Sequence, residues 1–417
     1  MKKLCNYILL LLPFGFFAQE HLILETCYQL VDKNYPLAKQ YSLLENQNII
    51  DLDVIKTKSL PQFNLDAQAT YQSEVIEIPP LPNAFIEPLN NDQYRATVTM
   101  NQLIYNGGAI NASLQDKLAA LKTKQKQVEV NLYQLKKQVN QLFFSVLLFQ
   151  EKNALFLAKK ELLQSKIKEV RSGIENGAIL PASDKVLNVE LIKIQQQLHE
   201  IEYNKISLLA TLSLLIGKDI EPTAIIENPE VTENLRISIK RPELELFQLK
   251  KEQIDASERL ISKQNAPKIS GFAIGGYGNP GLNLLDNSFK SFYTVGLKLN
   301  WNVFDWNSNK KERQSLLINK DIVNNEAELF NLNTSIELNQ QQSDIDKINA
   351  FINTDSEIIT LQKDVLKSAE SQLQNGVITA SSYITELTNL FEDETTMKTH
   401  EIQLLLIKAN YNITKGQ

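Results

Sequence analysis

Cysteine and histidine are scarce in this chain of 417 residues, which has two cysteines and three histidines. Cys5 lies in the N-terminal segment, so its removal would leave Cys27 without an intramolecular disulfide partner. We expect Cys27 to pack within a helix. The histidines are His21, His199 and His400, and none has the ligand spacing of a metal site. The sequence therefore predicts no metal and no cofactor.

Proline and glycine disappear toward the C-terminus. No proline follows Pro280, and Gly376 and Gly416 are the only glycines after Gly296. Because both residue types interrupt helices, this part of the chain predicts long uninterrupted helices. No segment after the N-terminus has the run of about 18 apolar residues that a transmembrane helix needs. The sequence is still compatible with a closed β-barrel.

The first 18 residues have the pattern of a secretory signal peptide. Lys2 and Lys3 precede an apolar run from Tyr7 to Phe17, and Ala18 is a suitable cleavage residue. A retained membrane anchor is the alternative, although the run is short for a span of about 20 residues. The formal net charge of −6 disfavours nucleic-acid partners.

One stretch, Ala109 to Asn176, predicts a single helix of roughly 100 Å. It has no proline and one late glycine, Gly173. Its apolar residues recur in alternating steps of three and four, the heptad pattern of helices that pack nearly parallel. They are Leu114, Leu118, Leu121, Val128, Leu132, Leu135, Val139, Leu142, Val146 and Phe149. A second rod, Ser308 to Asn375, has the same pattern.

Alternating polar and apolar residues predict strands on the N-terminal side of each rod. One run begins after Pro61, and the next ends at Tyr105. In the second half a weaker, glycine-rich run covers Lys268 to Gly278, and another covers Val295 to Val303. Strands of about ten residues are long enough to cross a bilayer when tilted.

The two halves repeat one another at a displacement that is constant on each side of a loop, which is shorter in the second copy. Pro36 and Pro61 correspond to Pro242 and Pro267, each 206 positions later, and Asn176-Gly177 corresponds to Asn375-Gly376, 199 positions later. This indicates a tandem duplication. We expect residues 19–217 to form the first repeat, 218–240 a linker, and 241–417 the second repeat.

Four amphipathic strands cannot close a barrel, since small barrels use eight. Open sheet edges within lipid would leave backbone groups without partners, each costing several kcal/mol. Strands that cross a membrane must therefore be shared among several chains. The fold class we expect is an α+β membrane protein with a long helical tunnel continuous with a shared β-barrel and an internal two-fold repeat.

The ordered motifs resemble the TolC family of outer-membrane efflux proteins. They are LILETCYQLVDKNYPLAK, SLPQF, LIYNGGA and ENGAILPASD in the first half and NAPKI, VFDWNSN and QNGVITASS in the second. The resemblance implies a homotrimer in the outer membrane that extends into the periplasm. It also implies contact with outer-membrane lipid, a periplasmic adaptor (membrane fusion) protein, and an inner-membrane pump of the RND, ABC or MFS type.

The same resemblance places adaptor docking at the periplasmic tips of the helices. The residues concerned are Asn176, Gly177, Ala178 and Ile179 in the first turn and Asn375, Gly376, Val377 and Ile378 in the second. The positions of the acidic rings that narrow the best-known relative carry Ser382 and Thr385 here, which makes a cation-attracting ring doubtful. Asp184 is the nearest acid, either at the constriction or at its helix N-terminus.

These patterns favour a passive trimeric duct for small molecules or peptides, in a tripartite efflux or type I secretion system. Polar strand residues Asn64, Gln68, Thr97 and Thr99 are expected to line its lumen. The alternative is a periplasmic coiled-coil scaffold or adaptor without a membrane barrel. No polar constellation typical of a catalytic site is visible, so an enzyme is disfavoured.

Overall fold

The computed structural model describes residues 21–76, 87–232 and 239–417. The expected signal peptide, residues 1–18, lies outside the described residues. None of the helices in the described part of the chain combines the length and apolar character that a bilayer span requires.

From α2 and from α5 onward the two halves of the chain share one element order, which is a helix, two strands, a long helix and a return helix. The helices are α1 (Leu24–Asn34), α2 (Gln40–Thr57), α3 (Ala109–Glu175), α4 (Ala182–Ile216), α5 (Pro242–Ser262), α6 (Ser308–Gln374) and α7 (Ala380–Lys415). The strands are β1 (His21–Leu22), β2 (Gln62–Tyr71), β3 (Asp92–Tyr105), β4 (Ile225–Ile226), β5 (Lys268–Asn279) and β6 (Lys290–Asn300). The long helices α3 and α6 both have 67 residues, as the heptad patterns and the duplication predict.

By its contacts, the chain forms two compact units, and each draws on both sequence repeats. The sheet unit consists of Lys39–Val130 and Pro242–Leu332. The helical unit consists of the residues up to Ala38 together with Asn131–Arg241 and Asn333–Gln417. The repeat boundaries at residues 217 and 240 stay predictions, because units defined by contacts do not have to coincide with the segments of a duplication.

A four-stranded antiparallel sheet in the order β2-β3-β5-β6 forms the centre of the sheet unit. The two inner strands come from different repeats, so the β3–β5 pairing joins the two repeats in one sheet. Among the described residues, this leaves β2 and β6 as edge strands, each with one side unpaired.

One strand ends earlier than its alternation predicted. The pattern in the second repeat continues to Val303, but β6 ends at Asn300, which pairs with Lys268 at the start of β5. Pro267 precedes Lys268, and a proline has no N–H with which to extend the ladder. Trp301 and Val303 therefore lie beyond the sheet.

The helical unit has two apolar clusters. One surrounds the middle of α3 and includes Val139, Phe143 and Leu212. Cys27 is fully buried in the same cluster and its thiol is free, so its expected packing role is confirmed. Burial raises the pKa of this thiol to about 12. The second cluster joins the ends of all four long helices and includes Leu163, Leu187, Leu373 and Tyr383.

Part of the expected linker is ordered. Ile225 and Ile226 form β4, which pairs in parallel with His21 and Leu22 of β1. Leu22 and Ile226 are both almost fully buried, so burial of these two side chains stabilises the short pairing. The sequence did not predict this strand, because two residues are too few to produce a detectable period, and the linker at residues 218–240 stays a prediction.

Candidate functional site

The central sheet has one polar and one apolar face. Across the β2–β3 pair, Asn64 lies opposite Thr99 and Gln68 lies opposite Arg95, while Thr97 lies opposite Asp66. Because side chains alternate between faces and directly opposed residues share a face, all six belong to the same face. The structure thus brings together the four residues predicted to line a lumen.

The opposite face of the sheet is apolar and exposed in the single chain. Leu65 and Val98 are paired on it, and Val295 and Leu299 continue it on β6. A contiguous exposed apolar surface of this kind indicates contact with lipid or with another protein surface.

Two phenylalanines interrupt the polar face, and each ring covers a glycine on the neighbouring strand. Phe292 lies opposite Gly276, and Phe272 lies opposite Gly296. A Cβ added at Gly276 would come within 2.7 Å of the Phe292 ring, and one added at Gly296 would come within 2.7 Å of the Phe272 ring. The Arg95 guanidinium lies 5.7 Å from the Phe292 ring centroid, within the range of a cation–π interaction. The polar face therefore holds two flat rings beside a cation.

Matched turns connect the strands to the long helices. The Asn106 side-chain oxygen accepts a 3.1 Å hydrogen bond from the Gly108 N–H, and Asp305 accepts a 3.0 Å bond from the Asn307 N–H in the same way. Asp305 also accepts bonds from the Asn309 N–H and the Asn265 side chain. These bonds stabilise the carboxylate and hold the pKa of Asp305 below its ordinary value.

The two tip turns end α3 and α6 with the same hydrogen-bond pattern. The Ala178 N–H donates to the Gly173 carbonyl at 2.9 Å, and the Gly177 N–H donates to Ile174 at 3.0 Å. Val377 and Gly376 make the equivalent bonds at the end of α6. This is the Schellman motif, which requires the positive φ that Gly177 and Gly376 adopt, at 76° and 72°.

The turns lie side by side. The Ala178 carbonyl oxygen lies 3.3 Å from the position that a Cβ on Gly376 would occupy. Both asparagines are also bonded locally, with the Asn176 amide to the Ser172 carbonyl and the Asn375 amide to the Ser371 carbonyl. The tip surface is thus made of backbone and small side chains, with Val377 as an exposed apolar residue and Ile179 and Ile378 half-buried.

Asp184 is held by an ion pair at the first tip. Its carboxylate lies 2.6 Å from the Arg171 Nε, so this acid joins α4 to α3. It also lies in the first turn of α4, where a negative charge is favourable to the helix dipole, but no side chain caps that helix.

Ser382 and Thr385 lie exposed on α7, and their hydroxyls make local bonds. Ser382 is within 3.1 Å of the Thr379 hydroxyl, and Thr385 donates to the Ser381 carbonyl. These two positions carry no charge, so they cannot form a ring of carboxylates in an assembly.

Two buried lysines on α3 were not predicted from the sequence. Lys159 pairs with Glu190 at 3.1 Å, and Lys166 pairs with Glu169 at 2.6 Å and with Glu370 of α6. The Lys166 ammonium also lies 5.7 Å from the Tyr383 ring centroid. Burial by itself lowers the pKa of Lys166, but hydrogen bonds to the two glutamates outweigh it and the pKa is raised.

Comparison with known proteins finds one family model that matches part of the chain. The model of the outer membrane efflux proteins matches residues 51–218, which contain β2, β3, α3 and α4. The matched residues make up less than half of the chain. No curated protein sequence matches the chain significantly.

Solved structures share the fold of this chain over almost its whole length. A CusC structure has a TM-score of 0.69 at 13% identity and covers 94% of this chain and 92% of its own. The Campylobacter jejuni CmeC outer membrane channel has a TM-score of 0.65 at 14% identity, covering 94% and 86%. VceC from Vibrio cholerae has a TM-score of 0.65 at 14% identity, covering 94% and 96%. At these identities the similarity shows the fold.

These findings confirm two expectations from the sequence, the resemblance to the TolC family and the α+β fold class. The matched family is one of outer-membrane proteins, and the structural neighbours are channel proteins rather than enzymes.

Within residues 21–76, 87–232 and 239–417, no group of three or more histidine, cysteine or acidic side chains is arranged to hold a metal ion.

Proposed function

We propose that this protein is an outer-membrane efflux channel, a passive duct formed by three copies of the chain through which small molecules or peptides leave the cell. An inner-membrane pump supplies the energy through a periplasmic adaptor, in a tripartite efflux or type I secretion system. The duct makes and breaks no covalent bond.

The open edges of the sheet support this proposal most directly. β2 and β6 each leave a row of backbone groups unpaired within the chain, while the apolar face of the same sheet is exposed. In a bilayer such edges must be paired, because lipid offers no hydrogen bonds. Three copies of a four-stranded sheet supply twelve strands, which is within the known range of membrane barrels.

The polar face would then line the lumen with Asn64, Gln68, Thr97 and Thr99. Neutral amides and hydroxyls hydrate passing solutes without binding one charge strongly. The apolar face would contact outer-membrane lipid, as required of the outward face of a barrel.

The tips are proposed as the adaptor contact. Exposed backbone at Gly177 and Gly376, with Ala178 and Val377 beside them, offers a small-residue surface into which a partner helix can fit closely. Movement of α4 and α7 at these turns would widen the tunnel, with Asp184, Ser382 and Thr385 at the constriction. The pump belongs to the RND, ABC or MFS class.

The docking role is tested with Val377→Asp, which places a charge on the tip without touching a buried residue. We expect normal amounts of the protein in the outer membrane but loss of efflux, measured as dye accumulation in cells lacking paralogous channels. Gln138→Asp, on an exposed position of α3, serves as the control and keeps efflux. Normal efflux with Val377→Asp and with Ala178→Asp contradicts docking at the tips.

Membrane fractionation separates the duct from the scaffold alternative. A duct is recovered from the outer membrane only with detergent, whereas a periplasmic scaffold is released with the soluble fraction. Deletion of the gene together with its paralogues, with drug accumulation and secretion both unchanged, would refute an efflux role.

A further inference from the structure

The polar face of the sheet carries an excess of positive charge, although the formal net charge of the whole chain is −6. Strand register assigns each charged side chain of β2, β3, β5 and β6 to one face or the other. The cations on the polar face are Arg95, Lys268, Lys290 and Lys298, and the acid there is Asp66.

Most of this positive charge has no carboxylate partner. Lys290 pairs with Asp286 in the loop before β6, at 2.5 Å. Among the described residues, no acidic side chain forms an ion pair with Arg95, Lys268 or Lys298. A surface with uncompensated cations attracts anions from solution.

Both phenylalanine rings on this face have a cation beside them. The Arg95 guanidinium lies 5.7 Å from the centroid of the Phe292 ring. Lys298 is paired with Ser270, two residues before Phe272 on β5, so it occupies the next row on the same face as the Phe272 ring. The polar face therefore repeats one arrangement, a ring next to a cation, at two levels.

The glycines opposite the rings keep them close to the sheet. Because Gly276 and Gly296 have no side chains, Phe292 and Phe272 lie over the backbone of the neighbouring strand. Both rings are half-buried, so part of each is accessible from the space above the polar face. An accessible ring offers a stacking surface to a planar molecule.

We propose that the polar face holds two binding sites for planar aromatic anions, one at Arg95 and Phe292 and the other at Lys298 and Phe272. The ring of the ligand stacks on the phenylalanine, and its carboxylate, sulfonate or phosphate group pairs with the cation. The same face repels an aromatic cation, and an aliphatic anion has no ring to stack. This inference rests on the proposed duct and names the class of cargo that the duct favours.

Three probes of similar size separate the effect of charge from that of stacking. They are naphthalenesulfonate, naphthyltrimethylammonium and cyclohexanesulfonate. Calorimetric titration of the full-length protein in lipid nanodiscs, corrected with empty nanodiscs, gives a Kd for each probe. We expect naphthalenesulfonate to bind roughly fivefold more tightly than either of the other two, the ratio that corresponds to one stacking or cation–π contact.

Two double variants divide this preference into its parts. Arg95→Gln with Lys298→Gln should bring the Kd values of the two aromatic probes close together and keep the preference for naphthalenesulfonate over cyclohexanesulfonate. Phe272→Leu with Phe292→Leu should do the reverse, because it removes the rings and leaves the charges. If the phenylalanine variant does not fold, the charge variant, which removes no packed ring, still decides between the outcomes.

The matched control is Lys310→Gln with Lys311→Gln, which removes the same number of charges at the exposed start of α6. It should leave all three Kd values unchanged, and a loss equal to that of the sheet variant overturns the assignment to the polar face. Equal affinities for the three probes, in a preparation that conducts ions across a planar bilayer, overturn the two sites and leave the duct standing. Absence of ion current at every applied voltage contradicts the duct, and with it any role of the sites in the passage of cargo.

Discussion

At the scale of single residues, buried charged groups affect the stability of the fold more than surface charges do. The Lys166 side chain is 4% exposed and joins α3 to α6 through its pair with Glu370. Glu169 holds the same ammonium and accepts a 2.7 Å hydrogen bond from Gln374. Removing one partner of such a buried cluster costs more than removing a surface ion pair, because the remaining charges lose their compensation.

We expect Lys166→Met to lower the free energy of unfolding by about 1–2 kcal/mol, below the usual cost for a fully buried pair because both carboxylates are partly hydrated. Lys168→Met, at a nearby exposed position of α3, should change it by less than about 0.5 kcal/mol. Denaturant unfolding of the detergent-solubilised protein measures both. Equal effects of the two substitutions would contradict the structural role of Lys166.

The same cluster predicts how stability depends on pH. Burial alone would raise the pKa of Glu169, but hydrogen bonds from Lys166 and Gln374 outweigh it and the pKa is lowered. A lowered carboxylate pKa gives stability that is present above the ordinary value of about 4.3 and is lost as the pH falls through the lowered value. The raised pKa of Lys166 gives stability that is lost only at strongly alkaline pH.

Lys166→Met should therefore flatten the acid side of the stability profile. We expect the difference in unfolding free energy between wild type and variant to be constant near neutral pH and to shrink below about pH 4. A difference that grows on acidification would show that the pair does not hold the carboxylate in its charged form.

A pair of neighbouring glycines tests the ring packing on the polar face. A Cβ at Gly276 would meet the Phe292 ring and lie 2.9 Å from the Thr97 methyl group, whereas a Cβ at Gly275 would meet nothing within 4 Å. We expect Gly276→Ala to destabilise the folded protein by about 1–3 kcal/mol. Gly275→Ala should be neutral or slightly stabilising, because alanine loses less backbone entropy on folding.

The melting temperatures of the Gly276→Ala and Gly275→Ala variants are measured from the heat-dependent change in mobility in detergent gels. Should both alanines melt alike, Phe292 would not lie flat against Gly276. Phe292→Leu combined with Gly276→Ala should recover most of the loss, since the smaller side chain leaves room for the methyl group.

At the scale of elements, the heptad pattern of α3 describes real packing. All ten seam residues from Leu114 to Phe149 are buried or half-buried, and Val139 is fully buried. Beside the seam, Asn140 is also buried and is satisfied by Tyr28 and Asn410, which joins α3 to α1 and α7. A polar group at this level is therefore stable only when it has partners.

Val139→Asn places an amide within the apolar cluster around the middle of α3, and we expect it to cost about 2–4 kcal/mol of unfolding free energy. Gln138→Asn, one residue earlier and exposed, is the matched control and should be nearly neutral. Urea unfolding followed by far-ultraviolet circular dichroism gives both values. An unchanged midpoint for Val139→Asn would argue against seam packing.

The sequence predicts elements well where one period is sustained. The ends of α3 and α6 fall within a residue of expectation, because an Asn-Gly pair follows each helix. The β3–β5 pairing was not foreseen, since residues far apart in sequence leave no local signal of which strands pair.

Individual side chains were predicted less completely. Lys166 lies one residue before a seam position, where a lysine is ordinarily expected to face solvent. The left-handed conformation of Trp306 contradicts its own residue preference, and only comparison with Gly107 in the other repeat reveals it. The lumen residues were found because alternation fixes a common face without knowledge of the tertiary structure.

At the scale of the whole molecule, the proposal depends on what pairs with the two edge strands. β2 and β6 are separated by β3 and β5 in the sheet. Three inter-strand spacings of about 4.8 Å place them roughly 14 Å apart within a chain, which is too far for a disulfide. Any disulfide between cysteines on β2 and β6 must therefore join different chains.

Disulfide crosslinking between these edges is the most direct test of a shared barrel. Cys27 is buried, so it leaves the background low. Ala67→Cys on β2 is combined in turn with Tyr293→Cys, Val295→Cys, Leu297→Cys and Leu299→Cys on β6, and outer membranes are oxidised. We expect at least one pair to give a ladder of crosslinked species that stops at three chains. Monomers alone with every pair, or a ladder that stops at two chains or passes three, would contradict the trimeric duct.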